Sequence, residues 1–243
     1  MAAITESALV ARVRQRADME ENYFVSDLEV QTYINVGLSE LHDLLIQTYG
    51  QDYYISSKTI TTTSGIDTYP LNDSTSSYDI AATDFYKLRG IDGKLNGNVW
   101  STLIPFNFNE RNLNQEGTSA NVFGLANTRY RLVGTSLYFS PNPSGTVDMK
   151  IWYIPTAQQF SSVTPATSTT TFDDINGYAE YVIIDAAIKC LQKEESDVQV
   201  LLAQKTAMKR RIEVAASNRD AGSPLSVSDV YRANNPFWYS RST

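Results

Sequence analysis

The chain has 243 residues, of which 42% are hydrophobic and 19% are charged, a balance typical of a globular protein. Its net charge of −7 argues against a protein that wraps nucleic acid, because wrapping needs a basic surface that neutralises phosphates. The charge does not exclude a ring through which DNA slides, since a basic wall would hold the DNA. No apolar run reaches the roughly 18 residues of a membrane span, and the N-terminus lacks the features of a secretory signal.

Two helices are predicted in the first fifty residues. Thr5 is a candidate N-cap for a short helix that runs to about Ala17. The second helix begins at Ser26, because Ser26 and Glu29 have the spacing of a capping box. It ends before Gly50, a candidate C′ residue. Its apolar stripe has spacings of four and three residues and consists of Val30, Ile34, Leu38, Leu41 and Leu45.

The next hundred residues change to a pattern typical of strands. Short β-branched runs alternate with turn residues, which predicts an antiparallel sheet, a sandwich or a barrel. Ser64-Gly65 predicts a hairpin turn between the first two strands, and Asp92-Gly93 predicts another turn. Residues 161–171 are rich in Ser and Thr and are interpreted as a linker. The predicted strands are 53–62, 66–69, 85–91, 99–104, 128–133, 136–140 and 146–154.

Helical periodicity returns between residues 178 and 220. A break is predicted at Glu194-Glu195, because Ser196 and Gln199 have the spacing of a second capping box. The last helix has one polar residue, Lys205, on its otherwise apolar face.

These patterns together predict an α+β fold. The N- and C-terminal helices are amphipathic, so we expect them to pack together as an α-helical bundle around a large antiparallel β insertion. The predicted organisation is a discontinuous helical domain of residues 1–50 and 173–222, an inserted β domain of residues 51–172, and an extended C-terminal arm of residues 223–243.

Catalytic and metal-binding patterns are weak in this chain. His42 is the only histidine, lies mid-helix without a nucleophile motif nearby, and is expected to have a surface or capping role. Asp73, Asp79 and Asp84 do not have the spacing of an EF-hand. Cys190, the single cysteine, lies in an apolar helical run and is expected to be a buried structural thiol. We therefore predict no catalytic site, no cofactor and no metal.

Two segments have the composition of binding surfaces instead. One is the basic cluster, defined as Lys209, Arg210 and Arg211, which is interpreted as a solvated helix end or as a contact with an acidic neighbour or passing nucleic acid. The other is the C-terminal arm, because aromatic residues and Arg dominate binding hot spots. The arm residues predicted to dock onto another chain are Tyr231, Arg232, Phe237, Trp238, Tyr239 and Arg241.

Three parts of the chain resemble the head-to-tail adaptor proteins of tailed bacteriophages, also called connector or head completion proteins. The first part is a strand pair with the sequences GIDTYPL at 65–71 and DFYKLRGID at 84–92. The second is a hairpin with LYFSP at 137–141 and MKIWYIP at 149–155. The third is the sequence AAIKCLQKEESD at 186–197, which leads into the last helix.

The resemblance implies a structural virion protein that is not an enzyme. It implies a homo-oligomeric ring, a dodecamer, beneath the portal protein at the neck of the virion, assembled in the cytoplasm of the bacterial host. Genomic DNA would pass non-specifically through the ring, which closes the filled head and provides the platform for a tail or nozzle protein. The C-terminal arm would extend to neighbouring subunits or to the portal.

Two alternatives remain open at the level of sequence. One is a tail-associated protein that binds or depolymerises glycans, although the long β-repeats usual in such enzymes are absent here. The other is a tail-tube or stopper protein, which is also a ring but is built mainly from sheet.

Overall fold

In the order of the sequence, two helices precede a β-rich region and two helices follow it. The computed structural model describes residues 2–20, 24–95, 99–110, 128–143 and 145–217. The helices are α1 (Glu6–Arg16), α2 (Asp27–Tyr49), α3 (Ala179–Lys193) and α4 (Gln199–Ser217). The strands are β1 (Ala2–Thr5), β2 (Ser56–Thr61), β3 (Thr68–Pro70), β4 (Phe85–Leu95), β5 (Val99–Thr102), β6 (Ile104–Pro105), β7 (Arg129–Val133), β8 (Ser136–Ser140), β9 (Asp148–Pro155) and β10 (Thr171–Asp174).

Side-chain caps fix the starts of the first two helices where the sequence predicts them. The Thr5 hydroxyl accepts a hydrogen bond from the backbone N–H of Ala8 at 3.2 Å. At the start of α2, the Ser26 hydroxyl accepts from the Glu29 N–H at 3.3 Å, and the Glu29 carboxylate accepts from the Ser26 N–H at 3.0 Å. The predicted capping box is therefore confirmed, and it satisfies two backbone donors that the helix itself cannot satisfy.

The helices from the two ends of the chain share one core, as predicted. Helix α3 is its centre, because ten of the helix's 15 residues are buried. Apolar residues of α1, α2 and α4, including Leu9, Ile34 and Ile212, belong to the same buried cluster. Cys190 is only 1% exposed in this cluster, and burial raises the pKa of its thiol to about 11, which confirms the expected buried thiol.

A glycine allows α2 and α3 to approach closely. A Cβ at Gly37 would lie 3.1 Å from Cγ1 of Val182 and 3.2 Å from Oδ2 of Asp185. Glycine in a helix interior is destabilising by roughly 0.5–1 kcal/mol relative to alanine, so its presence here is explained by the packing it permits.

The β-rich region contains two four-stranded sheets that share a second core. One sheet has the order β2-β9-β4-β5, and all its pairings are antiparallel. The other has the order β3-β8-β7-β6, in which β6 and β7 are parallel. Buried residues of both sheets, among them Ile91, Phe139 and Ile151, form one cluster. The mixed α+β fold of the prediction is thus confirmed.

The hairpin predicted at Ser64-Gly65 is wrong. Strand β2 pairs with β9, and β3 pairs with β8, so the chain crosses from one sheet to the other between them. The backbone of this crossing bonds elsewhere: the Thr62 N–H donates to the carbonyl of Val147, and the Gly65 N–H donates to that of Pro143. The local turn does form, with the Ile66 N–H donating to the carbonyl of Thr63 at 3.2 Å, but the strands on either side of it pair with distant strands and not with each other.

The turn predicted at Asp92-Gly93 is also wrong, because β4 continues through both residues. The Asp92 carboxylate accepts hydrogen bonds from the Trp152 indole N–H at 2.6 Å and from the Thr102 hydroxyl at 2.9 Å. These cross-strand partners satisfy a side chain that would otherwise favour a turn.

The segment interpreted as a linker is held against the helices. The buried Glu6 carboxylate accepts hydrogen bonds from the Ser162 hydroxyl and from the Gln31 amide, both at 2.6 Å. Asn35 exchanges two hydrogen bonds of 2.8 Å with the backbone of Phe160. Strand β10 follows directly and pairs with β1 at the start of the chain. Residues 160–174 therefore connect the β-rich region to both N-terminal helices.

The break between α3 and α4 lies where it is predicted, but the second capping box does not form. The Ser196 N–H donates to the carbonyl of Leu191, and the Gln199 N–H donates to the Asp197 carboxylate at 3.0 Å. Asp197 thus bonds the Gln199 N–H in place of Ser196, and Glu195, just before Ser196, adopts a left-handed φ of 57°. The domain boundaries proposed from sequence stay a prediction.

The Gly37 contact predicts that a large side chain there separates α2 from α3. We expect Gly37→Leu to lower the free energy of unfolding by about 1–3 kcal/mol, because it overpacks the contact with Val182. Val36→Leu is a matched control on the same helix, at a position that is 43% exposed. Urea denaturation followed by circular dichroism measures both, and equal midpoints for the two variants would contradict the role of Gly37.

Candidate functional site

A cavity of about 710 Å³ lies between the helical region and the β-rich region. Its wall combines α2, the end of β9, strand β10 and the last turns of α4, so it draws on segments that are distant in sequence. Aromatic and apolar side chains line most of it, among them Leu41, Tyr49, Tyr54 and Phe172. A concave, largely apolar surface with a few polar groups is the usual form of a binding site.

His42 is buried in this wall, and the expectation of a surface or capping role is wrong. Only 8% of the residue is exposed, and its ring stacks on Tyr54 with centroids 4.6 Å apart. Its Nδ1 lies 3.9 Å from the Asp43 carboxylate. Its Nε2 is the one buried side-chain N or O atom in the described ranges that has no hydrogen-bond partner. Such an atom is uncommon in folded proteins.

Burial lowers the pKa of His42, and the negative charge of Asp43 and the backbone of Pro155 offset that effect only in part. The ring is therefore neutral in the folded protein at neutral pH. A neutral imidazole has one donor and one acceptor nitrogen. The Asp43 carboxylate and the Pro155 backbone are the two acceptors beside the ring.

Tyr53 and Tyr54 are positioned by the short connection between α2 and β2. The Arg89 guanidinium, from β4, donates to the side chains of Gln51 at 2.6 Å and Asp52 at 2.7 Å and so fixes this connection. The rings of Tyr53 and Tyr54 meet edge to face at 4.7 Å. Burial raises the pKa of Tyr54, so its hydroxyl stays protonated. Sequence reasoning missed this site, although a closely spaced group of tyrosines after a helix was a usable signal.

A charged network joins three helices on the other side of α2. The Lys205 ammonium, from α4, lies 2.7 Å from both the Asp185 and the Glu40 carboxylates. Lys189 lies 2.5 Å from Asp185. Burial opposes the charge of Lys205, but its hydrogen bonds to Asp185 and Glu40 outweigh burial and raise its pKa. The lone polar residue on the apolar face of the last helix was the sequence signal for this network.

The basic cluster lies on the exposed surface of α4. Lys209, Arg210 and Arg211 are all exposed, and Arg211 donates to the carbonyl of Asn176 at 3.4 Å. The same outer surface carries exposed small and apolar side chains at helical spacing. This group, called the α4 face, consists of Val200, Ala203, Ala207 and Val214.

Helix α2 also has an exposed apolar surface. This α2 face consists of Leu28, Thr32 and Val36, and its two apolar residues are 50% and 43% exposed. The α2 and α4 faces differ in sequence and lie on different helices, so the helical region presents two distinct surfaces that could contact other molecules.

The predicted arm residues Tyr231, Arg232, Phe237, Trp238, Tyr239 and Arg241 lie outside the described residues. The three loop aspartates are within them, and each has a protein partner. Asp73 accepts from Thr75, Asp79 from the Asp73 N–H, and Asp84 from the Tyr153 hydroxyl. Across the described ranges, no three His, Cys, Asp or Glu side chains are grouped so that they could hold a metal ion. No helix in those ranges is long and apolar enough to span a membrane.

The buried neutral His42 predicts a loss of stability in acid. The unfolded chain binds a proton below about pH 6.5, whereas the folded protein resists protonation because the pKa of His42 is lowered. This contribution to stability is complete above pH 6.5 and is lost as the pH falls through the folded pKa. We expect the His42→Phe variant to lack this pH-dependent contribution to the free energy of unfolding. Urea midpoints measured at pH 7.5 and 5.5 test this, and an equal drop in both proteins would exclude His42 as its source.

Comparison with known proteins identifies the family. No curated protein matches the chain. A family model described as SU10 adaptor protein matches residues 4–228, which include all four helices and both four-stranded sheets. The chain therefore belongs to the SU10 adaptor protein family and is a structural adaptor protein of phages.

Proposed function

We propose that this protein forms a ring beneath the portal and joins the packaged phage head to the tail. The observation that carries the proposal is the family match over residues 4–228. In this role the ring lines the DNA channel, closes the filled head at the neck of the virion, and presents a platform for a tail or nozzle protein. A dodecamer assembled in the host cytoplasm is the form we propose.

The exposed helical surfaces support a closed ring. A head-to-tail ring needs two different complementary surfaces on each subunit. The α4 face and the α2 face are two such surfaces, and both carry apolar side chains that a monomer would leave in water. We propose that they meet across the subunit boundary, with the basic cluster beside the α4 face contacting the acidic Asp43 side of α2.

The charge of the chain supports a channel that does not bind DNA tightly. A net charge of −7 gives a surface that weakly repels phosphates, so the genome can slide during ejection. If the basic cluster contacts a neighbouring subunit, its three positive charges do not help to hold the DNA.

The experiment that tests this function is to mix the purified protein with the portal protein of the same phage and image the particles by negative-stain electron microscopy. We expect an added ring on one end of the portal. Absence of association at every salt concentration would contradict the role and would favour a tail-distal component, for which the β-rich region would be screened against glycans.

Deletion of residues 231–243 is expected to abolish portal binding and leave the fold intact. The deleted segment contains the predicted docking residues Tyr231, Arg232, Phe237, Trp238, Tyr239 and Arg241. Circular dichroism checks the fold, and co-sedimentation with the portal measures binding. Unchanged binding would show that the docking residues lie elsewhere.

Val214→Glu is expected to prevent ring formation, because it places a carboxylate in the middle of a surface proposed to be buried between subunits. Val214 is 58% exposed, so the substitution should leave the monomer folded. Val163→Glu is the matched control, since Val163 is 86% exposed and lies on neither face. Light scattering after gel filtration in the presence of portal measures the oligomer. A normal ring in the Val214 variant would exclude the α4 face.

A further inference from the structure

Two strands at the opposite edges of one sheet have open backbone edges. Strands β2 and β5 are the outermost strands of the sheet β2-β9-β4-β5, and within the described ranges no strand pairs with the outer edge of either. We propose that β5 of one copy of the chain pairs with β2 of the next copy, so that the sheet continues from subunit to subunit. The proposal rests on the ring of the proposed function and deepens it by naming a contact between neighbouring subunits.

The directions of the strands are the first argument. All three pairings in this sheet are antiparallel and the sheet has four strands, so β2 and β5 run in opposite directions. A second copy placed beside the first in the same orientation therefore brings its β2 antiparallel to β5, which is the more stable kind of pairing. The two edges differ from each other, as the contacts of a head-to-tail ring require.

The outward backbone groups of β5 are the second argument. In an antiparallel pair, the backbone groups of successive residues point alternately toward the partner strand and away from it. The Leu103 N–H donates to the carbonyl of Ile91 in β4 at 2.8 Å. By this alternation the N–H and C=O groups of Trp100 and Thr102 point away from β4 and are available to another strand.

Strand β2 has a matching set of outward groups. The Thr62 N–H donates to the carbonyl of Val147 at 2.8 Å, at the end of the β2–β9 ladder. The same alternation turns the backbone groups of three residues away from β9. These residues are Ser57, Thr59 and Thr61, and all three are exposed.

The outward groups of both strands belong to residues on one face of the sheet. Thr59 lies opposite Lys150, Lys150 lies opposite Asp92, and Asp92 lies opposite Thr102. Residues that lie opposite one another project from the same face of a sheet, so Thr59 and Thr102 share a face. Joining β5 to β2 through these residues therefore keeps the buried face of one sheet in line with the buried face of the next.

Side chains at the two edges favour one register. With Trp100 opposite Thr59, the antiparallel register places Val99 opposite Ile60. Val99 is 67% exposed and Trp100 is 38% exposed, so both leave apolar surface in water in the single copy. Pairing gives Trp100 a β-branched neighbour and Val99 an aliphatic one, which are favourable cross-strand pairs.

The edges of the other sheet differ from these two edges. Strands β3 and β6 are three and two residues long and end in Pro70 and Pro105, and short strands and prolines both prevent edge pairing. Strands β2 and β5 have six and four residues and contain no proline. Their one charged residue, Lys58, donates to the Ala81 carbonyl of its own subunit. Of the two four-stranded sheets, only the sheet of β2 and β5 therefore has edges without these protections.

Disulfide cross-linking of the full-length protein tests the proposal. In the proposed register Lys58 lies opposite Ser101 at a position without backbone hydrogen bonds, where opposite side chains are closest. The test variant carries Lys58→Cys and Ser101→Cys. Within one copy these residues are three strand spacings apart, roughly 14 Å, which is too far for a disulfide. Any disulfide between them therefore joins two copies.

The variant is oxidised with glutathione, with and without the portal protein of the same phage, and run on a non-reducing gel. We expect linked multimers to form at least about tenfold faster than in a control with Lys58→Cys and Val163→Cys, because pairing raises the effective concentration of the two thiols. Val163 is 86% exposed and lies on neither edge. The native Cys190 gives little background, because it is buried and its thiol pKa is raised to about 11.

A backbone substitution gives a second readout. Thr59→Pro removes an N–H that points away from β9, so the variant keeps its own ladder and should fold, as circular dichroism checks. We expect Thr59→Pro to lower the fraction of portal particles that carry a ring at least about tenfold, because proline cannot donate to the neighbouring strand. Thr59→Ala is the matched control, since it keeps the N–H, and it should assemble as the native protein does.

The outcomes separate this inference from the proposed function. A ring on the portal without the disulfide, or a normal ring with folded Thr59→Pro, would overturn the edge pairing and leave the ring function intact. Linked multimers without a ring on the portal would support the edge pairing and contradict the ring function. Absence of both multimers and ring would contradict both. If Thr59→Pro does not fold, the disulfide result alone decides.

Discussion

The helical region depends on the contact between α2 and α3 and on the charge buried beside it. Gly37 removes a side chain where the two helices approach, and the space is shared by Val182 and the Asp185 carboxylate. Asp185 is only 3% exposed. Its buried charge is tolerated because Lys189 and Lys205 neutralise it. The network also reaches Glu40 of α2, so three helices are fixed relative to one another at one point. A hydrophobic contact of the same size would hold them together but would not specify which residue of α4 faces α2.

Local patterns in the sequence were sufficient to predict most of the helical region. The Ser26 capping box and the apolar stripe of α2 are short-range features, and both have the predicted form. The strands of the two four-stranded sheets were placed nearly correctly, and β7 and β8 pair as neighbours in sequence. The partners of β2 and β3 were not predicted, because the sequence around Ser64-Gly65 carries a turn signal and no information on distant pairing. The Asp92-Gly93 error has a similar origin, since the Trp152 and Thr102 partners of Asp92 lie on other strands.

The closely spaced tyrosines after α2 are the one part of the cavity wall that the sequence signals, and the cavity itself is formed by segments that are distant in sequence. His42 follows Leu41 in an apolar helix, and its neighbours Pro155 and Phe172 lie more than a hundred residues away. Only the fold brings these segments together, and only burial makes the missing partner of Nε2 significant. The basic cluster was found from sequence, but the exposed apolar residues that accompany it on α4 become visible only when burial is known.

The pairing of β1 with β10 has a consequence for biosynthesis. Ala2 lies opposite Asp174 and Ile4 lies opposite Phe172, so the residues of β1 emerge from the ribosome well before their partners, which lie about 170 positions later. Helices α1 and α2 cannot cover their apolar faces until α3 has been translated. The β-rich region, by contrast, is complete before α3 appears and can fold as the chain emerges. The nascent protein therefore exposes the stripes of its first two helices until α3 is synthesised, and transiently exposed apolar surface of this kind is prone to aggregation.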